Sequence, residues 1–311
     1  MTTILLLPHI NAQNANALSS PYTIGFPAMT AFMGAVHALQ RLLNAGGFPS
    51  LAFSGAAVAC HAVELQIHRG PQDYEYSIIG TGNPLSPDNK AKNKWEAPFK
   101  RPSFVEEPRC HLDVSLVIQC EGVDMNDSDE VRDAVGRLIQ SKMKLAGGDI
   151  TGFEAPEVLK ISDDDPDAFR KLIRKLMPGH VVIERRDLMK TAMEEGRENG
   201  MDALDALLDH VKVLHRCEMD ENGATRWTAR RKTNGWIVPI ATGFHGITPL
   251  GSARNQRNQD MPHRFAEAVV TLGEFVMPYR IKTLAGMFWH YETDVENNLY
   301  LCTQTNSNNI T

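Results

Sequence analysis

Residues 3–27 read TILLLPHINAQNANALSSPYTIGFP, an apolar run followed from residue 11 onward by a polar stretch without a charged side chain. The segment Thr3–Leu7 is continuously apolar, which predicts a short central strand covered on both faces of a sheet. The amides and hydroxyls that follow predict a loop at the rim of that sheet. Five of them are its candidate binding residues: Gln13, Asn14, Asn16, Ser19 and Ser20.

Two interpretations of this loop are open from the residues alone. Neutral amides and hydroxyls both donate and accept hydrogen bonds, so they suit the base edges, sugar hydroxyls and phosphate oxygens of single-stranded RNA. The same residues are also typical of an Asn-rich turn that bonds to its own backbone.

The rest of the first half alternates between helical and extended patterns. Helices are predicted at about 31–43, capped by Thr30, and from Asp129 to Gly147-Gly148; strands are predicted at 62–68, 111–120 and 157–161. Residues 69–109, rich in Gly, Pro, Asn and Lys, predict an exposed lobe. This order predicts an α+β fold, with a ferredoxin-like (RRM-like) βαββαβ domain over residues 1–161 and a hairpin or thumb lobe inserted at about 69–109.

Residues 162–311 are predicted to form a helical or mixed C-terminal α/β extension packed on the first domain. Asp165-Pro166 begins a helix, HVVIE at 180–184 predicts a strand, and residues 187–214 are helical and acidic. The segment HRFAEAVVTLGEFV, residues 263–276, places apolar side chains at helical spacing and predicts a further helix.

Charge is unevenly distributed along the chain. The formal net charge of −6 argues against a general nucleic-acid coat, but residues 223–264 contain seven basic residues and only one acidic residue. A second basic run, at 90–101, is interleaved with aromatic side chains. Such runs are either solvated faces or local sites for a polyanion. The candidates in the two runs are Lys90, Lys92, Lys94 and Trp95, and Arg230, Arg231, Lys232, Arg254 and Arg257.

Several classes of protein are disfavoured. The five scattered cysteines contain no Cys-x-x-Cys pair, which indicates reduced thiols and a cytoplasmic location, and the apolar opening is too short to span a membrane. No P-loop, nucleophile elbow or zinc-protease motif is present. We therefore predict no catalytic residue, no metal site and no cofactor.

A family resemblance separates the two interpretations of the opening loop. The stretch LLLPHINAQNANALSSPYTIGFP, running into AFMGAVHALQRLL, resembles the N-terminal signature of the type I-F CRISPR-associated Csy-two family, the Cas-five-type members of the RAMP superfamily. The resemblance continues in order through HLDVSLVI, MKLAGGDI, GWIVPIATGF, ITPL, PHRFAEAVVTLGEF and FWHY.

The resemblance implies a non-catalytic RNA-binding subunit of the type I-F CRISPR surveillance (Csy, or Cascade) complex, which acts in antiviral DNA interference. Such subunits hold the 5′ handle of the CRISPR RNA, pair with the large subunit, adjoin the backbone subunits and lie near the incoming target DNA. The loop from Gln13 to Ser20 would contact handle bases and sugars. The lobe with Trp95 would serve as the thumb, and the 223–264 cluster would meet phosphates of RNA or DNA, or protein.

Two alternatives compete with this hypothesis. Related RAMP proteins process CRISPR RNA, so the chain could be a metal-independent endoribonuclease that uses His37, His61 or His111. It could also be an architectural adaptor that makes no contact with RNA.

Overall fold

The computed structural model describes residues 1–80, 86–87, 99–100, 107–122, 128–162, 165–219, 223–256 and 258–304. The elements of the first half are β1 (Thr2–Asn16), β2 (Leu18–Ser20), β3 (Thr23–Ile24), α1 (Met29–Ala45), β4 (Ala52–Leu65), β5 (Ile67–His68), β6 (Ser77–Ile78), β7 (Ser86–Pro87), β8 (Phe99–Lys100), β9 (Arg109–Glu121), α2 (Ser128–Lys142), β10 (Lys144–Leu145), β11 (Gly148–Gly152) and β12 (Glu157–Ile161).

The second half continues with further strands and three helices. They are α3 (Pro166–Lys175), β13 (His180–Glu184), α4 (Arg186–Gly196), α5 (Ala203–Val211), β14 (Leu214–Met219), β15 (Thr225–Arg230), β16 (Trp236–Gly246), β17 (Ala266–Val276), β18 (His290–Asp294) and β19 (Leu299–Thr303). The chain is therefore a mixed α/β protein that is rich in strands.

Strand β1 lies inside the main sheet and is buried on both of its faces, as predicted. Leu5 and Leu7 contribute to one apolar core, and Ile4 and Leu6 to another on the opposite face. Each fully buried side chain of this size contributes about 1.5–3 kcal/mol of transfer free energy. The apolar run at the start of the chain thus holds two layers of the protein together.

One antiparallel sheet spans both halves of the chain. Its strand order is β10-β11-β1-β9-β4-β13-β17-β16-β19-β18, and β12 also pairs with β1. The junction is the pairing of His180 and Val181 in β13 with Cys60 and Ala59 in β4. The predicted domain boundary after residue 161 stays a prediction. The hydrogen-bonded ladder of the sheet itself includes strands from both sides of this boundary.

Helices cover the two faces of the sheet unequally. On one face, buried residues of α1 and α2, among them Phe32 and Val135, form a continuous core with β1, β4 and β9. On the other face, Leu172 and Ile173 of α3 pack on β1, β4, β9 and β13. As predicted, Asp165-Pro166 begins α3: Asp165 is the N-cap residue, and its carboxylate accepts hydrogen bonds from the first-turn amides. Helices α4 and α5 pack on β16 and β17 through a third, smaller cluster.

The second predicted strand is too short and wrongly centred. It begins at Ala52 rather than residue 62, and its buried part is Gly55–Cys60, whereas Val63 and Ile67 are exposed. Small side chains are required there because the chain at Trp289 and His290 crosses this strand closely. A Cβ on Gly55 would lie 2.5 Å from the His290 ring. Small residues are poor signals of a strand, so the hydrophobic pattern missed it.

The predicted helix at 263–276 is wrong, because residues 266–276 form β17. Thr271–Val276 are all buried, since this part of the strand lies between β13 and β16 with both faces covered. A strand buried on both faces lacks the alternation of polar and apolar residues that distinguishes strands from helices.

Two predicted helix ends are also wrong. Helix α1 is capped at Ala28 without a side-chain hydrogen bond, so Thr30 is already inside the helix. Gly147 and Gly148 do not end α2, which stops at Lys142; they belong to the turn and second strand of the β10–β11 hairpin. Gly148 is needed there because its Cβ would lie 2.6 Å from the carbonyl oxygen of Gln13.

The last described residue, Gln304, fastens the C-terminal end of the chain to the sheet. The backbone amide of Glu184 donates to Gln304 Oε1 at 2.8 Å, and the backbone amide of Gln304 donates to Glu184 Oε2 at 3.1 Å. The side-chain Nε2 of Gln304 donates to the Met287 carbonyl at 2.8 Å. Arg186 pairs with the second oxygen of Glu184 at 2.7 Å. Burial nevertheless raises the pKa of Glu184 above its ordinary value.

We expect Gln304→Ala to lower the free energy of unfolding by about 3 kcal/mol, because it leaves two buried backbone groups unpaired. Urea denaturation measures this change. The matched control is Gln140→Ala on the exposed face of α2, expected to stay within about 0.5 kcal/mol of the parent. Equal stability of both variants would contradict the assignment of Gln304 as a fastening residue.

Candidate nucleic-acid interface

The polar stretch after the apolar opening is the bulged end of β1, so the predicted loop is wrong at this point. The pairing register with β9 shifts between Leu7 and Ile10 and again between Ala12 and Ala15. The two irregularities contain His9 and Asn14, with left-handed φ values of 46° and 56°. Asn tolerates this conformation better than most residues because its short side chain can hydrogen-bond locally.

The bulges give this segment an irregular burial pattern. Ala12, Ala15 and Ala17 are buried, while the amide side chains between them are exposed. We call the exposed set the amide ledge; it consists of Asn11, Gln13, Asn14 and Asn16. The three alanines belong to the core beneath the helices, and the amides stay at the surface.

Asn14 is the most strongly held member of the amide ledge. Its Oδ1 accepts a hydrogen bond of 2.7 Å from Gln66 Nε2, and its backbone amide donates to His111 Nδ1 at 3.3 Å. Arg109 donates to its carbonyl oxygen at 3.3 Å. Gln13 makes no side-chain hydrogen bond within the described part of the chain and is therefore available to a ligand.

Asn16 and the two serines are used largely by the protein itself. Asn16 exchanges two hydrogen bonds of 3.1 Å with the backbone of Leu18. Ser20 is buried, and its Oγ lies 2.6 Å from Thr23 Oγ1, while Ser19 Oγ lies 2.9 Å from the same atom. The second interpretation of the sequence, a turn that bonds to itself, thus describes these three residues: Asn16 ends β1, and Ser19 and Ser20 lie in the β2–β3 hairpin.

A shallow groove runs along the amide ledge on the face of the sheet opposite α1 and α2. Asn11, Gln13, Glu64, His111 and Thr151 contribute to its lining. Its floor comes from strand positions that alternate with core positions, since Leu112 and Val114 point into the core under the helices. The groove combines amide, imidazole and hydroxyl groups with one carboxylate.

The predicted thumb residues Lys90, Lys92, Lys94 and Trp95 lie outside the described residues, as does Arg257. In the 69–109 lobe and just before it, the structure describes two short strand pairings. The first joins β5 to β6, and the second joins β7 to β8.

In the basic run at 223–264, Lys232 is paired with acids of the described residues, Asp209 and, at 3.8 Å, Glu195. Lys232 Nζ lies 2.8 Å from Asp209, which also pairs with Lys212 at 2.6 Å. These two ammonium groups lower the pKa of Asp209 to about 2, and Asp209 raises the pKa of Lys232. Arg230, Arg231 and Arg254 are exposed, and no acid of the described residues pairs with them.

Strands β14 and β15 form a separate two-stranded sheet in which nearly every residue is exposed. The pairings Leu214–Arg230, Arg216–Thr228 and Glu218–Arg226 place three arginines on one face, which we call the arginine face: Arg216, Arg226 and Arg230. Trp227 is 68% exposed on the other face. Arg216 and Trp227 were not predicted as site residues, although alternation along two short strands was the available signal.

The three histidines of the ribonuclease alternative do not form one site. His37 is exposed on the outer side of α1, His61 contacts Ser115 and Pro178, and His111 lies in the groove beside Asn14. His61 and His111 are on β4 and β9 of the sheet, whereas His37 is on a helix that covers its opposite face.

The fold and the site define a mixed α/β protein with exposed amides on a strand and, among the described residues, arginines without an ion-pair partner on a two-stranded hairpin. The family described as CRISPR-associated protein (Cas_Csy2) matches residues 5–302. CRISPR-associated protein Csy2 of Pseudomonas aeruginosa (strain UCBPP-PA14) is 34% identical over 323 residues, covering 96% of this chain and 94% of the relative. The chain therefore belongs to the Csy2 family of CRISPR-associated proteins, as the sequence resemblance indicated.

The match includes the amide ledge, the groove and the arginine face, which all lie within residues 5–302. Among the described helices, none has both the length and the apolar composition that crossing a membrane requires.

The backbone at Asn14 generates a prediction about the amide ledge. We expect Asn14→Gly to be more stable than Asn14→Ala by about 1 kcal/mol, because glycine adopts a left-handed φ without the steric cost that alanine meets. Urea denaturation of the two variants measures the difference. If the alanine variant is equally or more stable, the left-handed bulge is not what positions the ledge.

Proposed function

We propose that the chain is a non-catalytic, cytoplasmic RNA-binding subunit of the type I-F CRISPR surveillance complex. In this proposal it holds the 5′ handle of the CRISPR RNA, pairs with the large subunit and adjoins the backbone subunits near the target DNA. Membership of the Csy2 family supports the general assignment. The observation that carries the RNA-binding role is the amide ledge, exposed on a strand that the rest of the fold holds rigid.

The arrangement of four strands in the first half of the chain supports a ferredoxin-like interpretation. Their order in the sheet is β12-β1-β9-β4, and α1 and α2 lie in the two connections that cross one face. In RNA-recognition domains of this topology, RNA lies on the face that the helices leave open. The groove beside Gln13 and His111 lies on the corresponding face here.

The chemistry of the ledge suits nucleotides better than a bare phosphate chain. Amide side chains donate and accept at once, so they can bond to base edges and to 2′-hydroxyl groups. His111 supplies a planar ring beside them. Because Asn14 is held by three neighbours, little conformational entropy is lost when a nucleotide binds.

Phosphate contacts are assigned to the arginine face together with Arg231 and Arg254. An isolated two-stranded hairpin is only marginally stable in water, and here one face carries three arginines against a single acid, Glu218, opposite Arg226. A bound polyanion would neutralise that excess of positive charge, whether it is RNA or incoming DNA. Lys232 stays a proposed contact, although it would have to exchange its pairing with Asp209 for a phosphate. Lys90, Lys92, Lys94 and Trp95 remain proposed thumb contacts.

We expect the double variant Gln13→Ala with Asn14→Gly to weaken binding of handle RNA about tenfold in the assembled complex, since it removes two or three hydrogen bonds of about 0.5–1.5 kcal/mol each. Fluorescence anisotropy with labelled guide-length RNA measures the affinity. Gln140→Ala on α2 is the matched control and should bind as the parent does.

Unchanged RNA affinity of the double variant, at an unchanged melting temperature, would count against the ledge and favour the adaptor alternative. Incubation of the same preparations with precursor CRISPR RNA tests the ribonuclease alternative. Site-specific cleavage that is lost on His61→Gln or His111→Gln would replace the proposed function.

A second prediction concerns the salt dependence of binding. Removing two arginines of the arginine face, with Arg226→Ala and Arg230→Ala, should reduce the log–log slope of affinity against salt by about 1.5, or about 0.7–0.9 for each lost phosphate contact. The control is Lys171→Ala with Arg174→Ala on the exposed side of α3. If both double variants retain the parent slope, this face contacts protein instead.

A further inference from the structure

A second group of polar side chains lies on the same face of the sheet as the groove, between the groove and the part of the face that α3 covers. His9 on β1, His61 on β4 and Asp113 on β9 come from three neighbouring strands. One potential ligand atom from each lies within 4.8 Å of the other two. The imidazole rings of His9 and His61 stack with centroids 4.0 Å apart.

The backbone is irregular at both histidines. His9 has a left-handed φ of 46°, at a register shift between Leu7 and Ile10, and His61 lies at the shift between Cys60 and Ala62. Bulges turn a side chain away from the direction that regular pleating would give it, and they are frequent next to functional sites. Two separate bulges thus direct two imidazoles to one place.

The hydrogen bonds of His61 identify Nε2 as the ring nitrogen that can coordinate a metal ion. The Pro178 carbonyl lies 2.7 Å from Nδ1, and a carbonyl only accepts, so Nδ1 carries the proton and Nε2 carries a lone pair. In the metal-free protein Ser115, whose Oγ accepts from the His9 amide at 3.0 Å, donates to that lone pair at 2.7 Å, so the Ser115 hydroxyl has to move aside when an ion binds. A carbonyl on the far nitrogen is the usual support of a metal-bound histidine.

The other two groups have suitable charge and spacing. His9 Nδ1 lies 3.1 Å from both oxygens of Asp113, close to the separation of about 3.3 Å between ligands that are each about 2.05 Å from a tetrahedral zinc ion. Among the described residues, no Lys or Arg pairs with Asp113. The side chains of His9 and Asp113 are 28% and 27% exposed, so a water molecule can complete the coordination.

We propose that His9, His61 and Asp113 form a binding site for one divalent transition-metal ion, with Zn²⁺ as the best match to two imidazoles and a carboxylate. Each imidazole supplies one nitrogen, the carboxylate supplies an oxygen, and water takes the fourth position. The ion joins β1, β9 and β4 where the two bulges interrupt their ladder. The site has no short sequence motif, because its ligands are far apart in the sequence.

The proposal is tested on the full-length chain after treatment with a chelator and desalting. Titration calorimetry with Zn²⁺ should show one ion bound per chain, and excess Mg²⁺ should not compete, because it prefers oxygen ligands. Co²⁺ should give the visible absorption of a tetrahedral site. Asp113→Asn and His61→Gln should each weaken Zn²⁺ binding at least about tenfold.

The matched control is His37→Gln, which removes an exposed histidine from α1 and should bind Zn²⁺ as the parent does. Thermal melting of the metal-free proteins shows that each variant is folded, and Zn²⁺ should raise the melting temperature of the parent but not of Asp113→Asn. Absence of Zn²⁺ binding at micromolar concentration overturns the proposal. Equal binding by the parent and the two site variants overturns it as well.

Discussion

The burial of β1 on both faces is the constraint on which the other features depend. Ile4–Leu7 contribute to the cores above and below the sheet, and this fixes the positions of β9, β11 and β12 as its neighbours. Beyond Leu7 the strand stays hydrogen-bonded in the sheet, but only one of its faces stays buried and the amide side chains become exposed. The change occurs at two bulges, and these bulges create both the exposed amides and the polar cluster at His9.

Sequence patterns predicted the elements whose burial matches their period. Continuous apolar character identified β1, alternation identified β9, and an aspartate before a proline identified the start of α3. The failures have physical causes. In β4 close crossing by the chain at Trp289 selects alanine and glycine, and in β17 cover on both faces removes the alternation that distinguishes a strand from a helix.

The candidate site was predictable only in part for similar reasons. Uncharged amides in one run were visible, and the family resemblance gave them a role, but nothing local showed that Asn16 bonds to Leu18 or that Ser20 is buried. Arg216 joins the arginine face only through its pairing with β15, and Asp113 meets His9 across 104 residues. Contacts between distant strands are a property of the ladder, which composition and spacing do not record.

The central position of the first strand affects how the protein is made. During synthesis β1 emerges from the ribosome first, yet Thr3 pairs with Cys120 and Thr2 with Ile161, and the last fastening contact waits for Gln304. The apolar β1 therefore lacks its sheet partners until the chain has been made as far as Ile161, and non-local pairings of this kind form slowly. An unpaired apolar strand is prone to aggregate, so the interval between the synthesis of β1 and the closing of its sheet is when this chain is most exposed to aggregation.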